Sequence, residues 1–114
     1  MERIEIDFDT DGSGEATVTK DTNGKHIGLN GVVIGVYLTF PAALTTMKAT
    51  LLDADGKDVL NDLFNASAIT TNGTILSLTD LGGGISGNGH GTFGVTAGTA
   101  SKTGGKCYVD ILRL

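Results

Sequence analysis

The chain has 114 residues, the length of one domain spanning 1–114, and a chain of this size can bury roughly two thirds of the surface it exposes when unfolded. Its net charge is −5 and its lysines are scattered, so it lacks the basic stripe that a phosphate backbone needs, and nucleic-acid binding is excluded as an expectation. With no Trp, eighteen glycines and one proline, its core must come from Val, Ile and Leu, and its chain must turn often; a helical bundle is not expected.

The opening MERIEIDF is charged and alternating, which predicts a strand and not a signal peptide. Ile4, Ile6 and Phe8 alternate with Glu5, Asp7 and Asp9, the period of a half-buried strand. Ala16 and Val18 alternate with Glu15, Thr17 and Thr19 in the same way. The connection Thr10–Gly14 has hairpin length and turn-forming residues, so these two strands are predicted to pair antiparallel. A second turn is expected at Asp21–Lys25, where Asn23-Gly24 can take positive φ.

In HIGLNGVVIGVYLTF, residues 26–40, unbroken alternation would put Val32, Ile34, Val36, Leu38 and Phe40 on one face. Gly28, Gly31 and Gly35 mark either a break between two short strands or bulges in a long one. This apolar run is glycine-interrupted and about half the length of a membrane span, so no membrane partner is expected. Pro41 ends the run, and Ala42–Thr46 is expected to be a short helical turn or loop. Met47–Leu52 reads as a strand, DADGKD as a turn, and Val59–Phe64 as either strand or helical turn. Thr74–Thr79 alternates again.

LGGGISGNGHGTFG, residues 81–94, is the least core-like stretch, costly in backbone entropy to order. The expectation is a loop that is mobile or held by a partner, with Gly83, Ile85, His90 and Phe93 as contact residues. Deleting Gly83–Gly89 should then leave the fold intact. Thr92–Ala97 is expected to return to the sheet, and Lys106–Leu114 closes the fold with Cys107, Val109 and Ile111 on one face. The count is seven to nine short strands, which predicts an all-β antiparallel β-sandwich, jelly-roll-like.

The stretch DFDTDGSGEATVT invites comparison with a calcium loop. Counting from Asp7 places Asp9, Asp11 and Gly12 in EF-hand register, but the twelfth position, which needs a bidentate Glu, is Val18. Asp7, Asp9 and Asp11 are therefore weak metal candidates, and the favoured reading is a tight bend whose Asp side chain accepts backbone N–H bonds. No nucleophile elbow, phosphate loop or acid–base carboxylate pair is present in the sequence pattern, so neither catalytic residues nor cofactors are expected. A hydrolase built on Cys107 and His90 rests on no motif, and the lone Cys107 reads as a buried small hydrophobe.

Four stretches, IEIDFDTDGSGEATVT, GKHIGLNGVVIGVYLTF, ATLLDADGKDVLNDLFNASA and KTGGKCYVDILRL, resemble small virion proteins of tailed bacteriophages. That resemblance implies a non-enzymatic virion structural protein assembled in the host cytoplasm. It points first to a capsid decoration (cement) protein on the lattice of the major capsid protein. Head–tail adaptor and tail-associated roles are the alternatives, and homo-oligomerisation is expected with any of them, a trimer among the forms. A carbohydrate-binding or calcium-tuned β-sandwich module is the reading from another class, with Tyr37 and Tyr108 as its only large polar aromatics.

Overall fold

Alternation in the first strand is realised: in the computed structural model, which describes residues 1–40, 46–70, 73–96 and 98–113, Ile4, Ile6 and Phe8 are buried while Arg3 and Asp7 face out. The elements are β1 (Glu2–Phe8), β2 (Ala16–Val18), β3 (Ile27–Gly28), β4 (Gly31–Thr39), β5 (Lys48–Leu52), α1 (Leu63–Ala66), β6 (Thr74–Leu76), β7 (Ile85–Gly87), β8 (His90–Thr96) and β9 (Gly105–Leu112). The turn expected after Pro41 lies outside the described residues, as do Ala97 and Leu114 at the ends of two expected strands.

Two antiparallel sheets form an all-β sandwich. The first has the order β1-β9-β4-β6, with β7 also on β4; the second has β2-β8-β3, with β5 also on β8. Strands of the first half pair with strands of the second half taken in reverse. Thus β1 lies on β9, β2 and β3 on β8, and β4 on β7 and β6, while Met47 ahead of β5 bridges Ile69. This is the wrapping of a jelly roll, one long folded ribbon closed over a single core. The core is mostly aliphatic but also takes in all four phenylalanines, with Phe8 and Phe93 meeting across the layers at 5.3 Å between ring centroids.

The predicted hairpin of the first two strands does not form. β1 pairs β9 and β2 pairs β8, so the chain changes sheet between them. The cause lies in Thr10, which is buried: its N–H donates to the Lys102 carbonyl at 2.8 Å, and its hydroxyl donates to the Thr99 carbonyl at 2.6 Å. Ser101 N–H also donates to the Asp11 carbonyl and Gly98 N–H to the Gly14 carbonyl. These partners, about ninety positions away, turn the chain over the sandwich edge.

The bend itself recurs three times. In Asp11–Glu15, Asp21–Lys25 and Asp53–Lys57 the leading Asp donates its N–H to the carbonyl four residues on, and its Oδ1 accepts the N–H groups two and four residues on. The fourth residue is glycine in each, at φ of 74°, 77° and 81°, the left-handed conformation this loop needs. The shared pattern is Asp-x-x-Gly-x; DTDG fits it too, but the hydrogen bonds belong to Asp11, so the loop equivalent to DADG is Asp11–Gly14.

A bulge resolves the ambiguity in β4. Val33 opposes Ile111 and Gly35 opposes Asp110, leaving Ile34 as the extra residue. Alternation shifts there, so Val33, Val36, Leu38 and Phe40 are buried, while Val32 and Ile34 are only half-buried. The single expected face of Val32 through Phe40 is therefore split.

The glycine-rich segment is also corrected. It is not a loop throughout: it supplies β7 and most of β8, the central strand of the second sheet. Gly91 explains one of its glycines, since a Cβ there would come within 2.5 Å of the buried Leu29 side chain. Asn88 and Gly89 are tied by backbone bonds to Ala54 and Leu29. Deletion of Gly83–Gly89 would remove β7, so it is not the neutral change expected above. Val59–Phe64 resolves as a turn leading into the one-turn helix α1, which buries Phe64.

Candidate functional site

The outer face of the first sheet gathers the chain's two tyrosines. Because Leu38, Cys107, Val109 and Ile6 point inward, their neighbours Tyr37, Tyr108 and Glu5 must point out. Register then aligns them in one row: Ile75 opposite Tyr37, Tyr37 opposite Tyr108, and Tyr108 opposite Glu5. The tyrosine rings are 6.0 Å apart at 25°. The adjacent row runs Gly35, Asp110, Arg3, and a third runs Thr39, Lys106, Asp7.

Charges on this face are paired across strands. Arg3 holds Asp110 through two parallel bonds, Nε to Oδ1 at 2.8 Å and Nη2 to Oδ2 at 3.0 Å, and its guanidinium lies 5.6 Å from the Tyr108 ring centroid. The bond to Asp110 raises the Arg3 pKa above its usual value. Lys106 donates to Asp7 at 2.7 Å and lies 3.6 Å from Glu5, and the Asp7 bond raises its pKa. Lys106 is thus an ion-pair member, not the freely solvated charge its scattered position suggests. Arg113 similarly donates to Glu2, whose pKa it lowers.

Gly35 leaves the middle of this face without a side chain. The resulting notch of about 440 Å³ is walled by Tyr37 and Ile75 on one side and by Arg3 and Asp110 on the other, with Leu76 and Ser77 beyond. A second groove of about 400 Å³ runs between α1 and β6, lined by Leu63, Phe64, Ile69, Ile75 and Leu76 together with Ser67, Thr70, Thr74 and Asp80. Ile75, 63% exposed, stands on the ridge between the two, and Leu63 is 39% exposed. A third groove, about 390 Å³, crosses the outer face of the second sheet over Thr17, Gly94 and Thr50, with Asp11, Glu15 and Asn65 at its margin.

The expected contact residues separate. Phe93 is fully buried in the core and cannot touch a partner; its side chain lies on the inward register of β8. Ile85 is half-buried and packs against the core. Gly83 lies exposed in a turn at φ 92°, and His90 is an exposed residue of β8, not of a flexible loop. The His90 ring stacks on His26, 4.3 Å apart and nearly parallel.

Asp7, Asp9 and Asp11 are each committed elsewhere. Asp7 takes Lys106, Asp9 accepts the Gly104 N–H at 3.1 Å, and Asp11 accepts the Ser13 and Glu15 N–H groups. Those backbone bonds lower the Asp11 pKa. Among the described residues, no three His, Cys, Asp or Glu side chains gather closely enough to hold a metal ion.

Cys107 is fully buried between the sheets, and burial alone pushes its thiol up to about 12. Such a thiol stays protonated at neutral pH and makes a poor nucleophile. His90 belongs to the other sheet and is exposed, so the two are not a catalytic pair.

Sequence reading found both tyrosines but not their partnership. They are far apart in the chain, and only the register of β4 on β9 makes them neighbours. No protein-family model matches this chain, and comparison with the curated proteins and with the solved structures finds no match either.

Proposed function

We propose that this protein is a non-catalytic virion structural protein, a decoration protein that docks on the lattice of the major capsid protein. One observation carries the reading: the groove between α1 and β6 is bordered by Leu63 and Ile75, both exposed, beside the buried Phe64, Ile69 and Leu76. Two exposed apolar side chains on one groove give a partner apolar area to bury. The sequence resemblance to small phage virion proteins points the same way. On a lattice, many copies of a modest contact add up, and a trimer would multiply each attachment through effective concentration.

The test is cosedimentation of the purified protein with particles of the phage that encodes it, prepared without this protein. Binding is expected, and Leu63→Asp with Ile75→Asp is expected to abolish it while leaving the melting transition in place. Retained binding of that double variant would remove the groove from the reading. Binding to tails and not to heads would favour the tail-associated alternative, and light scattering of the free protein would report its oligomeric state.

A further inference from the structure

The notch over Gly35 has a composition unlike the groove beside it, and it does not depend on the virion reading. One wall is apolar, made by the Tyr37 ring and Ile75. The opposite wall is the Arg3–Asp110 pair, held in a plane by two bonds of 2.8 and 3.0 Å. The Arg3 fork retains further N–H donors after that pairing, and each Asp110 oxygen retains a lone pair. Donors and acceptors therefore sit side by side, facing an aromatic ring across an open floor.

We propose that this notch is a binding site for a neutral saccharide. A sugar ring offers a C–H face for Tyr37 and Ile75, and neighbouring hydroxyls that both donate and accept for Asp110 and Arg3. Charge decides against other small ligands. The two ionic groups of the wall cancel each other, so an anion reaches the remaining Arg3 donors only beside the Asp110 charge, and a cation reaches Asp110 only beside Arg3, whereas a neutral ligand meets neither penalty. The volume of about 440 Å³ lies within the roughly 300–1,000 Å³ span of small-molecule sites. Gly35 is the specificity element: a Cβ there would stand 3.4 Å from Asp110 Oδ2, so a larger side chain fills the notch without displacing backbone.

The experiment is amide-shift titration of the isotope-labelled protein with maltotriose, cellotriose, lactose and N,N′-diacetylchitobiose, with sialyllactose as the acidic comparator. At least one neutral sugar is expected to shift the Arg3, Gly35 and Tyr37 amides saturably. Gly35→Val and Tyr37→Ser should each weaken that binding about tenfold or more. Thermal melts accompany both variants; Tyr37 is a surface residue, so Tyr37→Ser carries the test if Gly35→Val fails to fold. No shift at these residues with any neutral sugar, a response to sialyllactose alone, or undiminished binding by the folded variants would overturn the proposal. Ile75 borders both grooves, so particle cosedimentation is also read with Leu63→Asp alone, which leaves the notch untouched, and either proposal can fail without the other.

Discussion

Single side chains set the bends and the inertness of this molecule. Asp11 and Asp53 perform the same task in the same loop geometry, yet Asp53 is 6% exposed and Asp11 lies in water. Water can replace an exposed carboxylate as acceptor but reaches a buried one poorly. Asp53→Ala is therefore expected to cost about 1–3 kcal/mol in urea unfolding, by leaving the Asp55 and Lys57 N–H groups without their acceptor. Asp11→Ala should cost clearly less; equal losses would show that burial is not what separates them. Phe93, expected as a contact residue, instead fills the centre of the core against Phe8. Phe93→Ala should destabilise the protein by about 3–5 kcal/mol, a loss read from the same urea transition, whereas a true surface residue would tolerate the change. Composition could not show this, because a Phe in a glycine-rich stretch looks the same in either place.

At the level of elements, alternation was a good guide where one face was wet, and a poor one where chain partners intervened. β1, β5 and β9 follow their patterns, and the bulge at Ile34 was legible only as a choice between alternatives. Thr92–Thr96 returns to the sheet as expected, but β7 and the first residues of β8 replace the expected loop, because glycines here admit close neighbours such as Leu29 beside Gly91. Deletion of Gly83–Gly89 is accordingly expected to abolish the cooperative thermal transition followed by circular dichroism. It removes β7 from the edge of β4, and with it the bonds that Asn88 and Gly89 make to Ala54, Leu29 and Asn30. A deletion variant that melts like the parent would show that the segment is dispensable after all.

The whole molecule is an acidic sandwich whose resolved carboxylate shifts all run one way. Glu2, Asp11 and Asp80 have lowered pKa values: Arg113 is the first cause for Glu2, and backbone N–H bonds from Glu15 and from Ser77 for the two aspartates. A lowered folded pKa gives stability that is complete above the ordinary carboxylate values of 3.8 and 4.5, and is lost as pH falls through the folded value. Through these groups urea midpoints should decline below about 4, where they protonate. Arg3 and Lys106 are raised, so their share is lost only on alkalinisation beyond 10.5. A midpoint that rises on acidification would contradict this sign. By itself the sequence determined the all-β class, the strand count, the acidic balance and the turns that begin near Asp11, Asp21 and Asp53, because those follow from period, composition and local hydrogen bonding. Only the tertiary structure decided which strands pair, that Thr10 carries the chain from one sheet to the other, and that Tyr37, Tyr108, Arg3 and Asp110 share one face. The physical reason is distance along the chain: a jelly roll joins its first strand to its last, and no local pattern records a partner a hundred residues away.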